Sequence, residues 1–240
     1  MIYPKKSKMF ERVFYYYLNY SFRKHFYKVH VDVSKLHIPE GPVLVLLNHS
    51  NWWDGLVSFY LNQTVFKKDS YAVMSKKGIE DYPFFRKIGA FSVDPNSPKS
   101  LMKSLQFAKE LLDDNKYVWM FPQGKEEHLE KRPLEFMKGP AYLIEKSKSI
   151  SIVMIALYYT YTHHQKPEIF IKMVNMKHRP MDHLSRKEVT SLLENELTSL
   201  VDVLKEDILN ERTYQFQVMT KGTRTVNEWV DQLTDKKKEA

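Results

Sequence analysis

Five consecutive aliphatic residues, Val43–Leu47, stop abruptly at Asn48 and His49 in the stretch "GPVLVLLNHSNWWDG". A run of that length, opened by Gly-Pro, reads as a buried strand, and a strand apolar on both sides needs cover on both faces. Further strand-length segments recur at about residues 28–33, 71–74, 90–93, 117–121, 150–159 and 168–174. Helical patterns alternate with them at about 52–63, just after Gly78, and at 98–112, 139–146 and 185–209. The alternation predicts an α/β fold, a mixed and mostly parallel sheet flanked by helices, with the site at the strand ends.

Before this pattern, Phe10, Val13, Phe14, Tyr17, Leu18 and Phe22 follow helical spacing among Lys5, Lys6, Lys8, Arg12, Arg23 and Lys24. An amphipathic helix of aromatic and basic residues suits either a bilayer interface or packing on the domain's own core. The expected organisation is therefore a membrane-interface segment at 1–27, an α/β domain at 28–211 and a tail at 212–240 with a short helix around 226–233. No apolar run approaches the roughly 20 residues of a membrane-spanning helix, and the start is read as mature sequence because it lacks a clean apolar stretch and a cleavage site.

A net charge of +8 asks for an anionic partner, and the 14% aromatic content tilts that choice toward a membrane surface. Nucleic acid is not expected, since no reading motif accompanies the charge. The absence of cysteine removes disulfides, thiolate metal sites and cysteine nucleophiles, and fits a reducing compartment. The seven glycines are too widely spaced for a dinucleotide or phosphate loop. No histidine cluster has metal-ligand spacing, so no metal is expected.

The chemistry centres on His49 and Asp54. Their side chains would diverge on one continuous helix, but with His49 on a strand-to-helix turn and Asp54 in the first helical turn the carboxylate can fold back to the imidazole. An imidazole bonded to a carboxylate through one nitrogen is fixed in tautomer and takes a proton through the other. No G-x-S-x-G elbow supplies a nucleophile, so the substrate is expected to bring the hydroxyl. Capping of the helix by Asp54 is the alternative structural role. A second constellation is the strand and turn "YVWMFPQGK", in which Gly124 permits close backbone approach and Lys125 can meet an anion.

The order Asn-His-x4-Asp, Gly-Ala-Phe before Asp94, Phe-Pro-x-Gly, a Lys-Gly pair opening a helix, and an apolar strand resembles the glycerolipid acyltransferase family, typified by 1-acylglycerol-3-phosphate acyltransferases. The resemblance spans about residues 40–160. It implies His49 as general base and Asp54 as its orienting partner. It also implies direct attack of a lipid hydroxyl on an acyl-CoA or acyl-carrier-protein thioester, with no cofactor. Asn48 and Asn51 in the first block, Gly89, Phe91 and Asp94 in the second, and Phe121, Pro122, Gln123, Gly124 and Lys125 in the third are the implied substrate-binding positions. A peripheral protein on the cytoplasmic face of an anionic membrane, acting on a lysolipid acceptor, follows from the same resemblance.

Three positions depart from it. Asn51 stands where the family usually has serine, and Pro95 and Glu126 stand where it usually has the arginines credited with gripping the acceptor phosphate. Neither proline nor glutamate replaces an arginine fork. Acyl transfer is the leading reading, with the acceptor headgroup open; a non-catalytic lipid-binding protein of the same fold is the alternative.

Overall fold

The computed structural model describes residues 1–147, 149–177, 181, 183–223 and 228. Eight strands form a single sheet: β1 (Lys28–Lys35), β2 (Val43–Leu47), β3 (Ser70–Ser75), β4 (Ala90–Val93), β5 (Tyr117–Met120), β6 (Ser151–Thr160), β7 (Glu168–Asn175) and β8 (Gln217–Lys221). Their order across the sheet is β4-β3-β5-β2-β6-β7-β1-β8. From β4 to β6 every neighbouring pair is parallel. The β6–β7 pair is antiparallel, β7–β1 parallel and β1–β8 antiparallel. The fold is the α/β class expected, a mixed and mostly parallel sheet between helices.

All five residues of β2 are buried because the strand lies near the middle of the sheet and alternates between two cores. Val43, Val45 and Leu47 face one core with Tyr117 and Trp119 of β5 and Val153 and Ile155 of β6. Leu44 and Leu46 face the other with Val118, Met120, Ile152 and Met154. The first face is covered by α1 (Lys8–His25) and α2 (Asp54–Leu61), and the second by α4 (Pro98–Asp113), α5 (Gly139–Lys146) and α6 (Arg186–Leu209). Two-sided burial is why these strands read as continuous apolar runs. The short α3 (Lys76–Asp81) is capped by Ser75, whose hydroxyl accepts from the Gly78 N–H at 3.0 Å, and a 3-10 helix over Pro83–Ile88 leads into β4.

The N-terminal helix packs on the domain's own core. Phe14, Leu18 and Phe22 are buried in the first core, with Phe14 5.5 Å from the ring of Phe59 and Phe22 5.8 Å from that of Trp53. Val13 and Tyr17, assigned by spacing to the same apolar stripe, instead turn outward and are 61% and 58% exposed. The helix thus has two apolar faces, of which the domain covers one. Ahead of it the chain is tied to the sheet edge, Ile2 exchanging hydrogen bonds with Ser92 and Lys5 donating to the Arg86 carbonyl.

The tail contains an unexpected element. β8 pairs with β1 within residues 217–221, so the sheet continues past residue 212. The short helix expected around 226–233 lies outside the described residues.

At the start of β7, Glu168 is buried but ionised more readily than an ordinary glutamate. Burial pushes its pKa up, and hydrogen bonds from His30 and Thr162 with the attraction of His30 and Lys28 overcome that and bring it below the usual 4.5. A lowered folded pKa contributes stability present above the unfolded value and lost as pH falls through the folded one. The melting temperature is therefore expected to fall on acidification below about pH 4.5, and less steeply in Glu168→Gln; identical acid limbs in the two proteins would remove this pair from the account.

Candidate active site

The carboxyl ends of three adjacent parallel strands, β5, β2 and β6, carry the residues that meet here. Where β2 stops, the Asn48 side chain continues the ladder to β6: its amide donates to the Leu157 carbonyl at 3.0 Å and its oxygen accepts the Leu157 N–H at 2.8 Å. Both ends of the amide are thus engaged, and the residue is buried. Asn48, expected to contact substrate, instead fixes where the strand ends and His49 begins.

His49 is held through its backbone, its N–H donating to Gln123 Oε1 at 2.6 Å and its carbonyl accepting from the Glu127 N–H at 3.0 Å. Its ring stacks on Phe121, centroids 4.3 Å apart and planes 23° apart. Nδ1 lies 3.0 Å from Oδ2 of Asp54, the first residue of α2. The same oxygen accepts the Ser50 and Asn51 backbone N–H groups at 2.6 and 3.0 Å, and Oδ1 accepts the Tyr159 hydroxyl at 2.7 Å.

Asp54 is entirely buried, so this set of donors replaces its hydration. A carboxylate oxygen only accepts, so the imidazole joins the backbone N–H groups as a donor through Nδ1–H, the tautomer that in a neutral ring puts the lone pair on Nε2. The Tyr159 hydroxyl is pushed well above its ordinary pKa of 10, first by burial and then by the Asp54 charge it faces and donates to. It stays a phenol, a permanent donor to the carboxylate.

His49 stands in the wall of a cavity of about 1020 Å³, at the top of the roughly 300–1,000 Å³ range of ligand pockets. The walls are mostly apolar: Tyr71–Ser75 of β3, Phe59 of α2, Leu101, Met102 and Leu105 of α4, Met120, and Phe136 and Met137 before α5. Trp52 and Tyr82, 49% and 42% exposed, face each other on its rim with ring centroids 6.5 Å apart. Trp53 turns the other way and packs between Phe22, His25 and Phe26.

Of the expected binding positions, Phe121, Pro122, Gly124 and Lys125 line this cavity. The others are placed otherwise. Gln123 is buried and positions the His49 backbone; Asn51 accepts the Trp53 N–H at 2.8 Å and shapes the turn before α2. Phe91 has no exposed surface and packs edge-on against Phe107 in the second core. Asp94 accepts the Asn96 N–H at 3.1 Å in a local turn. Gly89, at φ +101, closes the turn into β4, where a Cβ would sit 2.7 Å from the Ser70 carbonyl oxygen. Gly89, Phe91 and Asp94 thus support the sheet edge while their neighbours Ala90, Val93 and Pro95 line the cavity with the third block, in which Gly124, at φ +72, donates to the Phe121 carbonyl at 3.1 Å and so turns residues 125–127 back toward His49.

Tyr159 was invisible as a site residue in an apolar strand; the neighbourhood of β6 and β2 is what identifies it. Among the described residues no group of three or more histidine, cysteine, aspartate or glutamate side chains is arranged to hold a metal ion.

Comparison with known proteins bears on the family and the fold. The sequence matches the family model described as Acyltransferase over residues 28–160, more than half of the chain. The fold is similar to the crystal structure of the 1-acyl-sn-glycerophosphate (LPA) acyltransferase PlsC from Thermotoga maritima, with a TM-score of 0.56 and 16% identity, covering 82% of this chain and 79% of that one. No curated protein sequence gives a significant match.

Proposed function

This chain belongs to the acyltransferase family, and from that premise we propose that it is an O-acyltransferase whose general base is His49, moving a fatty acyl group from a thioester to a hydroxyl of a lysolipid acceptor. The observation that carries the proposal is the imidazole fixed through Nδ1 to a buried carboxylate at 3.0 Å while its ring lies in the wall of a large apolar cavity. Nε2 takes the proton as the acceptor oxygen attacks the thioester carbonyl. The tetrahedral intermediate then collapses, the carbon–sulfur bond breaks, and the imidazolium returns the proton to the departing thiolate. Asp54 stabilises the imidazolium between these two transfers, and Tyr159 with the two backbone N–H groups holds Asp54 still.

The donor is proposed to be acyl-CoA or acyl-carrier protein. The acceptor class is suggested by the fold's likeness to an enzyme named for acting on 1-acyl-sn-glycerophosphate. Purified protein incubated with radiolabelled donor of either kind and a panel of lysolipids is expected to give acylated lipid on thin-layer chromatography. Tight lipid binding with no product from any pair would instead favour a non-catalytic lipid carrier of this fold.

We further propose that the protein docks peripherally on an anionic bilayer, on the cytoplasmic face where both donors are found, through the outer face of α1. Met9, Val13, Tyr16, Tyr17 and Tyr20 are all more than half exposed there, and Arg12, Arg23 and Lys24 flank them. No helix among the described residues is long and apolar enough to cross a membrane. Phe84 lies against both Phe14, on the covered face of α1, and Tyr82 at the cavity rim, with centroids 5.3 and 6.3 Å away, so the helix itself packs beside the entrance. Replacing Arg12, Arg23 and Lys24 by alanine is expected to weaken sedimentation with phosphatidylglycerol vesicles by roughly 1 kcal/mol per cation. Unchanged partitioning in the triple variant would move the docking face elsewhere.

A further inference from the structure

The stretch Lys125–Lys131 holds two lysines and three glutamates, of which Lys125 and Glu126 line the cavity, and the way they pair is informative. Glu127 engages both lysines, Lys125 at 2.6 Å and Lys131 at 2.5 Å. Glu126 is left beside the base, Oε1 3.9 Å from His49 Nε2, and among the described residues it forms no ion pair with any lysine or arginine. That separation is too long for a hydrogen bond. It leaves room on the Nε2 side for a group between or beside the two.

A hydroxyl about to be deprotonated must lie roughly 2.6–3.2 Å from Nε2. Whatever the acceptor carries on the neighbouring carbon then falls within reach of the Glu126 carboxylate. A phosphomonoester there, with about −1.5 to −2 charges near neutral pH, would face a carboxylate with Lys125 already held by Glu127. Of the other cations on the cavity wall, Arg186 is paired with Glu145 at 2.6 Å, and Lys138 opens α5. A hydroxyl or an ammonium group in the same place would instead donate to Glu126, which accepts only.

We infer that Glu126 is a specificity-determining residue that receives a hydrogen-bond donor of the acceptor headgroup, so that the acceptor carries a hydroxyl or amine, and no phosphomonoester, beside the reacting hydroxyl. This rests on the acyl-transfer reading above and narrows its acceptor. A vicinal hydroxyl, as in a glycerol or sugar headgroup, and an amine on the adjacent carbon, as in a long-chain 2-amino alcohol, present the same donor chemistry to the carboxylate.

The test compares kcat/KM for palmitoyl transfer to the hydroxyl of lysophosphatidate, a long-chain 2-amino alcohol, monoacylglycerol and an alkyl glucoside in the wild-type protein, Glu126→Gln and Glu126→Arg. The wild type is expected to favour one of the last three, which separates the amine source from the hydroxyl source. Glu126→Gln should lower that preferred activity by roughly tenfold or more, and Glu126→Arg should shift the preference toward lysophosphatidate by at least as much. Glu126 is half exposed, so its variants should melt with the wild type. Lysophosphatidate as the best wild-type acceptor, with that activity lost in Lys138→Ala, overturns the inference while acyl transfer stands. Product from no acceptor overturns both.

Discussion

Replacing His49 by alanine is expected to lower the rate of acyl transfer by on the order of 10²–10⁴ at saturating donor and acceptor, with little change in melting temperature. The rate effect follows from the proposed role of Nε2 as proton acceptor at the cavity wall, where among the described residues no other imidazole stands. The fold should survive because the ring is part of a larger network. Without it Asp54 still accepts from Ser50, Asn51 and Tyr159, and the backbone of residue 49 keeps its bonds to Gln123 and Glu127. Steady-state kinetics beside thermal melts separate the two quantities. Full activity in a folded variant removes His49 from the mechanism.

Asp54 carries the second large effect, and two substitutions resolve its two roles. Asparagine has the same shape and can keep one oxygen toward the three N–H donors while its amide faces the Tyr159 hydroxyl, which can accept. The turn is retained and the charge is lost. Turnover in Asp54→Asn is expected to fall by on the order of 10²–10⁴, with KM for the acceptor far less affected, because the imidazolium that forms during the reaction loses its counter-charge. Alanine removes the acceptor altogether and leaves the Ser50 and Asn51 N–H groups and the tyrosine hydroxyl without their partner. Asp54→Ala is therefore expected to lose on the order of 3–5 kcal/mol of stability in denaturant melts. Equal stability of the two variants would mean that Asp54 does not organise the turn; equal turnover of Asp54→Asn and wild type would mean that its charge plays no part.

The comparison of sequence with structure turns on range. Strand β2 and helices α4 and α6 were legible because apolar runs and helical spacing depend only on residues a few positions apart. β8 was not legible: Gln217–Lys221 is short and mixed, and it is a strand only because β1 offers an open edge for it. The outward turn of Val13 and Tyr17 was hidden for a related reason, since a helical stripe can be read from spacing while the arc of it that meets the domain cannot. In the second motif block, Gly89 and Phe91 appeared as ligand-binding positions. Their residue types serve a positive-φ turn and a core contact equally well, and only packing chooses between these uses.

The site divides in the same way. The sequence by itself determined that a histidine ends a buried strand, that an aspartate five residues on can fold back to it across a strand-to-helix turn, and that a proline-glycine turn follows another apolar strand. Those are local matters of chain geometry and residue chemistry. Tertiary structure decided what surrounds them, because sheet order brings together groups far apart in the chain. Asn48 meets Leu157 across 109 residues, Asp54 meets Tyr159 across 105 and His49 meets Gln123 across 74. It also decided that both lysines near the base turn to Glu127 and leave Glu126 beside Nε2, a choice set by which charges the folded loop places within a few ångströms of one another.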